Sequence, residues 1–503
     1  MRKRFEDNLT EKIYDNVHGF ISLTKEEKEL LNTSYFQRLN FIKQLSLSHF
    51  VFPGAVHTRF SHSLGVLHIV EKMIQRLKAK NCTFFNDYKN HQITRLAALL
   101  HDIGHYPLSH TIESSYKEYQ LAEQQQSLKS LLVENTGITE QPSLKKICDS
   151  NDIQTFLMHQ EKVNQSELHH ETFAKYILQS GPFKENFKKL FHEINDSDIE
   201  IIASLIVGQP VNKEYFIASD LINSRLDADQ MDYMKRDTIN TGILASVDID
   251  FIIKNMIPYK IEINGIKTER VAFKEEALQV IEQFILAKYY WYSNILYYDK
   301  TYIVNNIAKR LYTKLLIDKK IDEEYSTVNN FKSLLENSPN KFFFFNDDYF
   351  WKQIHKILSS KQKNMTYKLA NMLVNRQFPE VEKQNFFNKH FSNSNLINSH
   401  CQITGNETEY KKAKACFENK IKELNKKEKK FLYGTPISEK IVCDDIFIQV
   451  SDKLKCKKII DMPNHFFQQF ITNENSENNT DEQNTARKTL KIFRVYNFEN
   501  ILS

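Results

Sequence analysis

His101 and Asp102 stand side by side at the end of the apolar run ITRLAALL and just before IGHYPLSH. An imidazole nitrogen and a carboxylate oxygen are both ligands for a divalent metal. On its own, such a pair is equally well a buried histidine hydrogen-bonded to its neighbour. Two other residues make it informative: His62 in RFSHSLG and Asp229 in LDADQMDYMKRD, each on a separate segment of helical pattern. Two imidazoles and two carboxylates from three helices can converge inside a bundle. That mixed nitrogen and oxygen set suits Mn, Fe, Zn or Mg, and ligand type alone does not choose among them. An ordinary core seldom gathers so many ionisable groups.

The surroundings carry further candidates. Gly104 and Pro107 predict that the helix ends near His101, which leaves His105 and His110 on the rim of the site. Along the later helix Asp229, Tyr233, Arg236 and Asp237 fall within one broad face, giving a metal ligand neighbours directed at a substrate.

The elements that must position these residues are mostly helices. Gly (11) and Pro (10) are scarce, and apolar residues recur at three- and four-residue intervals. Residues 63–80 form one helix, with a stripe of Leu64, Leu67, Val70, Met73, Ile74 and Leu77. Others are expected from about residue 93 into His101, over 226–237, and over the aromatic-rich stretch from about 277 to 309. After about residue 430 the texture changes to β-prone pieces, 440–450 and 489–496, separated by a polar surface loop at 473–484. A basic helical stretch at 411–430 precedes them, read first as a solvated face and second as a nucleic-acid contact. The expected fold is mainly α, a helical bundle with a smaller α+β C-terminal region. Its divisions are an N-terminal segment (1–30), a core (31–310), a helical extension (311–430) and the C-terminal region (431–503).

Composition limits the classes. The 503 residues are 41% hydrophobic, enough for a large core. Lys and Arg (68) exceed Asp and Glu (63) by only five, which suits a local phosphate pocket better than a dedicated nucleic-acid face. Six cysteines without a CxxC pair point to a reducing, cytoplasmic setting. MRKRFEDNLTEK has no apolar stretch behind it and is not expected to be a secretory signal. No apolar run of 18 residues predicts a membrane span.

YFQRLNFIKQLSLSHFVFPGAVHTRFSHSLG, followed by LLHDIGHYPLSH, HHE and DQMDYMKRD, resembles the HD-domain deoxynucleoside triphosphate triphosphohydrolases over roughly residues 30–300. That family includes bacterial enzymes and an animal enzyme that joins a SAM domain to the HD domain. Only about thirty residues precede the match, so the bacterial single-chain form is the closer model. The resemblance implies that His62, His101, Asp102 and Asp229 bind the metal. It also implies that His105, His110 and His170 are catalytic, that Arg59 binds phosphate, and that Gln44, Leu45, Tyr233 and Asp237 surround the deoxyribose. The implied reaction cleaves between the 5′ oxygen and the α-phosphorus of a deoxynucleoside triphosphate, releasing deoxynucleoside and tripolyphosphate. His110 is the first candidate for the acid that protonates the leaving oxygen. An allosteric nucleotide and a homo-oligomer, dimer or tetramer, are implied as well.

The sequence also departs from the family's pattern. Where the animal enzyme reads a guanine nucleotide with an Asp and an Arg, this chain has Asn32 and Asn40, although Gln37 and Arg38 are kept. Asn offers neither a carboxylate acceptor nor a guanidinium fork, so an activator other than a guanine nucleotide, or none, is expected. Gln230 replaces a Lys usual beside the last metal Asp, and Lys235 is a candidate to compensate. An Arg and then a Tyr that the family carries on an aromatic helix have counterparts in Lys288 and Tyr297, whereas Tyr289, Tyr290, Trp291 and Tyr292 read as core and interface aromatics. Two other functions stay open on the sequence: an HD phosphohydrolase or nuclease acting on another nucleotide or a single-stranded nucleic acid, and a non-catalytic nucleotide sensor or nucleic-acid-binding module.

Overall fold

The computed structural model describes residues 4–136, 167–243, 247–263, 266–360, 362–391, 397, 402–404, 407–427, 432–440, 446–450, 455–459, 471–472, 486–487 and 489–497. The expected loop at 473–484 lies outside these. The chain is mainly α, with small sheets at its N-terminal end and in its C-terminal part.

Five helices carry the site. Helix α1 (Arg59–Lys78) buries the predicted stripe, from Leu64 to Leu77. Helix α2 (Tyr88–Leu100) starts where Asp87 accepts hydrogen bonds from Lys89 N and Asn90 N, and is buried on all sides from His91 onward. A helix enclosed all round belongs at the centre of a bundle, and α2 packs on α1, with its buried Arg95 paired to Glu27 and Glu71. Helix α3 (His110–Thr136) begins after a tight loop in which Leu108 and Ser109 have φ of 49° and 52°. Helix α4 (His170–Gln179) crosses that loop. A Cβ at Gly104 would lie 2.2 Å from His170 O and 2.3 Å from Ala174 N, so only glycine permits the contact. Helix α5 (Ala228–Thr241) is capped by the Asp227 side chain and stopped by Gly242 at φ 75°.

The single helix expected over 277–309 is two: α6 (Leu278–Trp291) and α7 (Asp299–Ile317). A π turn, Tyr292–Leu296, closes α6 through Tyr297 N donating to Tyr292 O, and the rings of Tyr292 and Tyr297 stack across it. Apolar spacing continues through the break, which hides it from a periodicity argument.

Two hairpins were absent from the sequence reading. Strands β1 (Glu11–Asp15) and β2 (Gly19–Leu23) form a hairpin, and β3 (Met256–Ile263) and β4 (Ile266–Lys274) form another. In the C-terminal part, β5 (Leu432–Lys440) pairs antiparallel with β8 (Thr489–Asn497). The strand expected over 440–450 therefore resolves into β5, which ends at Lys440, and β6 (Phe447–Val450). Gly434 and Pro436 disguise β5, and the proline is tolerated because β5 pairs on one side only. Strand β6 pairs in parallel with β4 and antiparallel with β7 (Lys455–Lys458), so one sheet combines strands from the middle and the C-terminal part of the chain. The basic stretch is a helix, Glu407–Lys427, whose apolar face is buried by Phe417, Ile421 and Leu424. Among the described residues, no helix is long and apolar enough to cross a membrane.

Candidate metal centre

Helices α1, α2 and α5 bring His62, His101, Asp102 and Asp229 together. Single ligand atoms of His62, His101 and Asp102 lie within 4.8 Å of one another. His62 Nε2 is 2.9 Å from Asp229 Oδ1 and 3.7 Å from Asp102 Oδ2, while His101 Nε2 is 3.4 Å from Asp102 Oδ1 and 3.9 Å from Asp229 Oδ1. Neither Nε2 makes a hydrogen bond, although both are buried; even the 2.9 Å approach lies off a hydrogen-bond direction. The opposite nitrogens are committed: His62 Nδ1 donates to Asp232 Oδ2 (2.7 Å) and His101 Nδ1 to Ala98 O (2.8 Å). Both rings thereby turn Nε2 toward the carboxylates, the arrangement a metal-binding histidine requires.

The electrostatics agree. Burial opposes charge on His62, yet Asp229, Asp232 and Asp102 outweigh it and push its pKa up to about 10. Burial likewise opposes the charge on Asp102, but Arg59, His101 and His105 hold its carboxyl well below the usual carboxylate range. Carboxylates that draw a proton onto a buried imidazole form a site suited to a cation, so the residues present fit a divalent metal.

Arg59 lies against this set, donating from Nη1 to Asp102 Oδ2 (2.7 Å), from Nε to Ser109 Oγ (3.0 Å) and from Nη2 to Gln44 O (3.3 Å). Next to it is a second histidine group. The rings of His105 and His170 stack at 3.9 Å, and His110 meets both edge-on. Glu113 accepts from His170 Nδ1 (3.0 Å), His110 Nδ1 (3.3 Å) and Lys117 Nζ (2.5 Å). His105 is fully buried, not on the rim, because Gly104 lets α4 close over it; His110 alone is exposed. Burial and the charges of Arg59 and His170 hold His105 well below the usual histidine range, so it is neutral near pH 7.

The deoxyribose candidates come from two segments, Gln44 and Leu45 beside Arg59 and Tyr233 and Asp237 on α5. Gln44 and Leu45 are buried, and Gln44 Oε1 has no hydrogen-bond partner. Tyr233 stacks on Trp291 at 4.6 Å. Asp237 accepts from His57 Nε2 (2.7 Å) and Trp291 Nε1 (3.0 Å), so the tryptophan read as a core or interface aromatic touches two candidate site residues. Arg236 does not share their direction. It is fully buried and binds Asp232 and Asp15 on the far side of α5.

Lys235 is also turned away and lines a cavity of about 510 Å³ with His18 and Lys72. Lys288 instead supplies the ammonium near the site, donating to Gln230 Oε1 at 2.7 Å. Tyr297 stacks on Tyr292 beyond the π turn. Asn32 and Asn40 are exposed, whereas Arg38 is fully buried and donates to Ile103 O (2.8 Å), His105 O (2.8 Å) and Phe345 O (2.6 Å), with the Phe342 ring 4.1 Å from its guanidinium carbon. Arg38 thus holds the loop that carries the site instead of facing a nucleotide.

Residues 59–232 match the HD domain family, a span that includes all four proposed ligands. Among curated relatives, an uncharacterised Mycoplasma pneumoniae protein is 31% identical over 280 residues, 55% of this chain and 53% of that protein. The deoxynucleoside triphosphate triphosphohydrolase SAMHD1 of Xenopus laevis is 26% identical over 249 residues, 48% of this chain and 36% of its own. A solved phosphohydrolase structure from Bacteroides thetaiotaomicron superposes with a TM-score of 0.60 at 19% identity, covering 97% of this chain and 99% of that one. That last match fixes the fold alone. The chain spans about half the length of the curated relatives it matches. It carries an HD domain, a metal-dependent module, and is related in sequence to the deoxynucleoside triphosphate triphosphohydrolases.

Proposed function

We propose that this protein is an HD phosphohydrolase that converts deoxynucleoside triphosphates to deoxynucleosides and tripolyphosphate. The observation that carries the reading is the pair of buried, unpartnered Nε2 atoms of His62 and His101 facing Asp102 and Asp229, with Arg59 and a histidine group alongside. His62, His101, Asp102 and Asp229 would hold the metal, which when bound polarises a phosphoryl oxygen and lowers the pKa of a water toward neutrality.

The chain's own groups supply the rest. Arg59 exchanges its contact with Asp102 for the α-phosphate and stabilises the charge that grows there. Oxygen from water joins the α-phosphorus as the bond to the 5′ oxygen breaks. His110, held through Nδ1 by Glu113, gives the departing 5′ oxygen its proton, with His105 and His170 packed against it. Lys288, seated on Gln230 beside Asp229, is placed to take over the triphosphate contact that Gln230 lacks. Gln44, Leu45, Tyr233 and Asp237 would close around the deoxyribose, where close packing under C2′ excludes a hydroxyl.

A panel of ribo- and deoxyribonucleotides and single-stranded DNA, each assayed with Mg, Mn or Co and with product identification, tests the reading. Tripolyphosphate from deoxynucleotides is expected. Pyrophosphate, nucleotide fragments or no turnover would replace it with one of the other functions. Dimers or tetramers and a cytoplasmic location belong to the same proposal, and light scattering and cell fractionation read them directly.

A further inference from the structure

The carboxylate behind His62 is itself held from a distant part of the chain. His18, in the turn between β1 and β2, donates from Nε2 to Asp232 Oδ1 at 2.6 Å, while Asp232 Oδ2 takes the Nδ1 proton of His62. His18 lies 214 residues from Asp232 and outside the span that matches the HD domain. Its turn is fixed in place: Asp15 Oδ1 accepts from Val17 N and His18 N, both at 2.9 Å, and Asp15 binds Arg236. Arg236 donates to both oxygens of Asp232, at 2.8 and 3.1 Å. Helix α1 makes room at Gly65, where a Cβ would lie 1.9 Å from Asp232 Oδ1. All of these side chains except the largely buried His18 are fully or almost fully enclosed.

We propose that His18 is a positioning residue for the metal centre, fixing the His62 ring through Asp232 so that the β1–β2 turn sets metal affinity. The inference rests on His62 as a ligand and not on the identity of the substrate. Without His18, Asp232 Oδ1 keeps only the longer bond from Arg236, so the carboxylate turns or recruits water and the imidazole it orients loses direction. A carboxylate bonded directly to a metal-binding histidine, the place Asp232 holds, is worth roughly 10- to 100-fold in affinity, and His18, one bond further out, draws on the lower part of that range.

The test is Mn²⁺ binding to the metal-stripped full chain, measured by calorimetry or by competition with a fluorescent chelator, beside melting curves of the same samples. His18→Ala is expected to bind Mn²⁺ roughly tenfold more weakly than the parent, with little change in the melting of the stripped protein. His18→Gln, which keeps a donor at similar reach, should recover most of the loss. If His18→Ala does not fold, His18→Leu fills the space without a donor and is read the same way. Parental affinity in the donor-free variant, or a His18→Gln as weak as His18→Ala, would overturn the proposal, as would a parent that binds no Mn²⁺. A parent that binds Mn²⁺ yet leaves deoxynucleotides intact would remove the substrate reading and leave this inference standing.

Discussion

Two histidine groups lie side by side in this protein and are wired in opposite ways. In the first, His62 and His101 have their Nδ1 protons committed to separate acceptors, so both Nε2 atoms turn inward toward Asp102 and Asp229. In the second, His105, His110 and His170 pack ring against ring, and one carboxylate, Glu113, gathers the Nδ1 atoms of two of them. The first arrangement offers electron pairs to a cation. In the proposed function the second supplies a proton through its one exposed member, His110. Residue type does not separate the two groups; separate acceptors behind the rings of the first and one shared carboxylate behind two rings of the second do.

Substitutions in each group test that contrast. Asp102→Ala and His101→Ala should lose bound metal and turnover together while retaining the helical circular dichroism signal. Full metal content with parental rates in either variant would break the assignment. His110→Ala should keep its metal and lose roughly 100-fold in turnover, the scale of a general acid; an unchanged rate would pass the role to His105 or His170. Glu113→Gln keeps an acceptor but loses charge-assisted bonds worth about 1.5 kcal/mol, so a fall of about tenfold in kcat with metal retained is expected. A loss of metal on that substitution would merge the two groups into one. The smallest effect concerns Asn32 and Asn40, both exposed and far from a guanidinium or carboxylate in character. Added GTP should change initial rates little, and strict dependence on GTP would refute the reading of those two positions.

Much of the site was visible in the sequence, and the limits have physical causes. His62, His101, Asp102 and Asp229 sit on strongly periodic helices, so their convergence follows from helix packing. Glu113 was missed although its spacing, three residues after His110 on the same helix, would have indicated it. Asp232 was equally accessible as the residue one turn beyond Asp229. His18, His57 and Trp291 were not, because each reaches the site from a segment whose approach only tertiary structure defines. His105 was expected on the rim because the helix ends before it. The chain does turn there, but Gly104 admits α4 and encloses the ring. The fold class followed from periodicity, whereas both hairpins escaped it within a helix-rich context, and the π turn left the apolar spacing undisturbed.

Arg38 has a consequence for how the protein opens. Its guanidinium is fully enclosed and held through Nη1 and Nη2 by carbonyls of Ile103, His105 and Phe345 instead of a carboxylate, and burial lowers its pKa to about 9. Releasing either the 101–109 loop or the 342–347 segment alone would leave a cation in apolar surroundings with its remaining bonds too few, at a cost of several kcal/mol. The two stretches should therefore open as one cooperative unit, although about 240 residues separate them. Deuterium exchange of their backbone amides should show matching protection and a shared response to Arg38→Lys; independent exchange of the two would show that they are not tied.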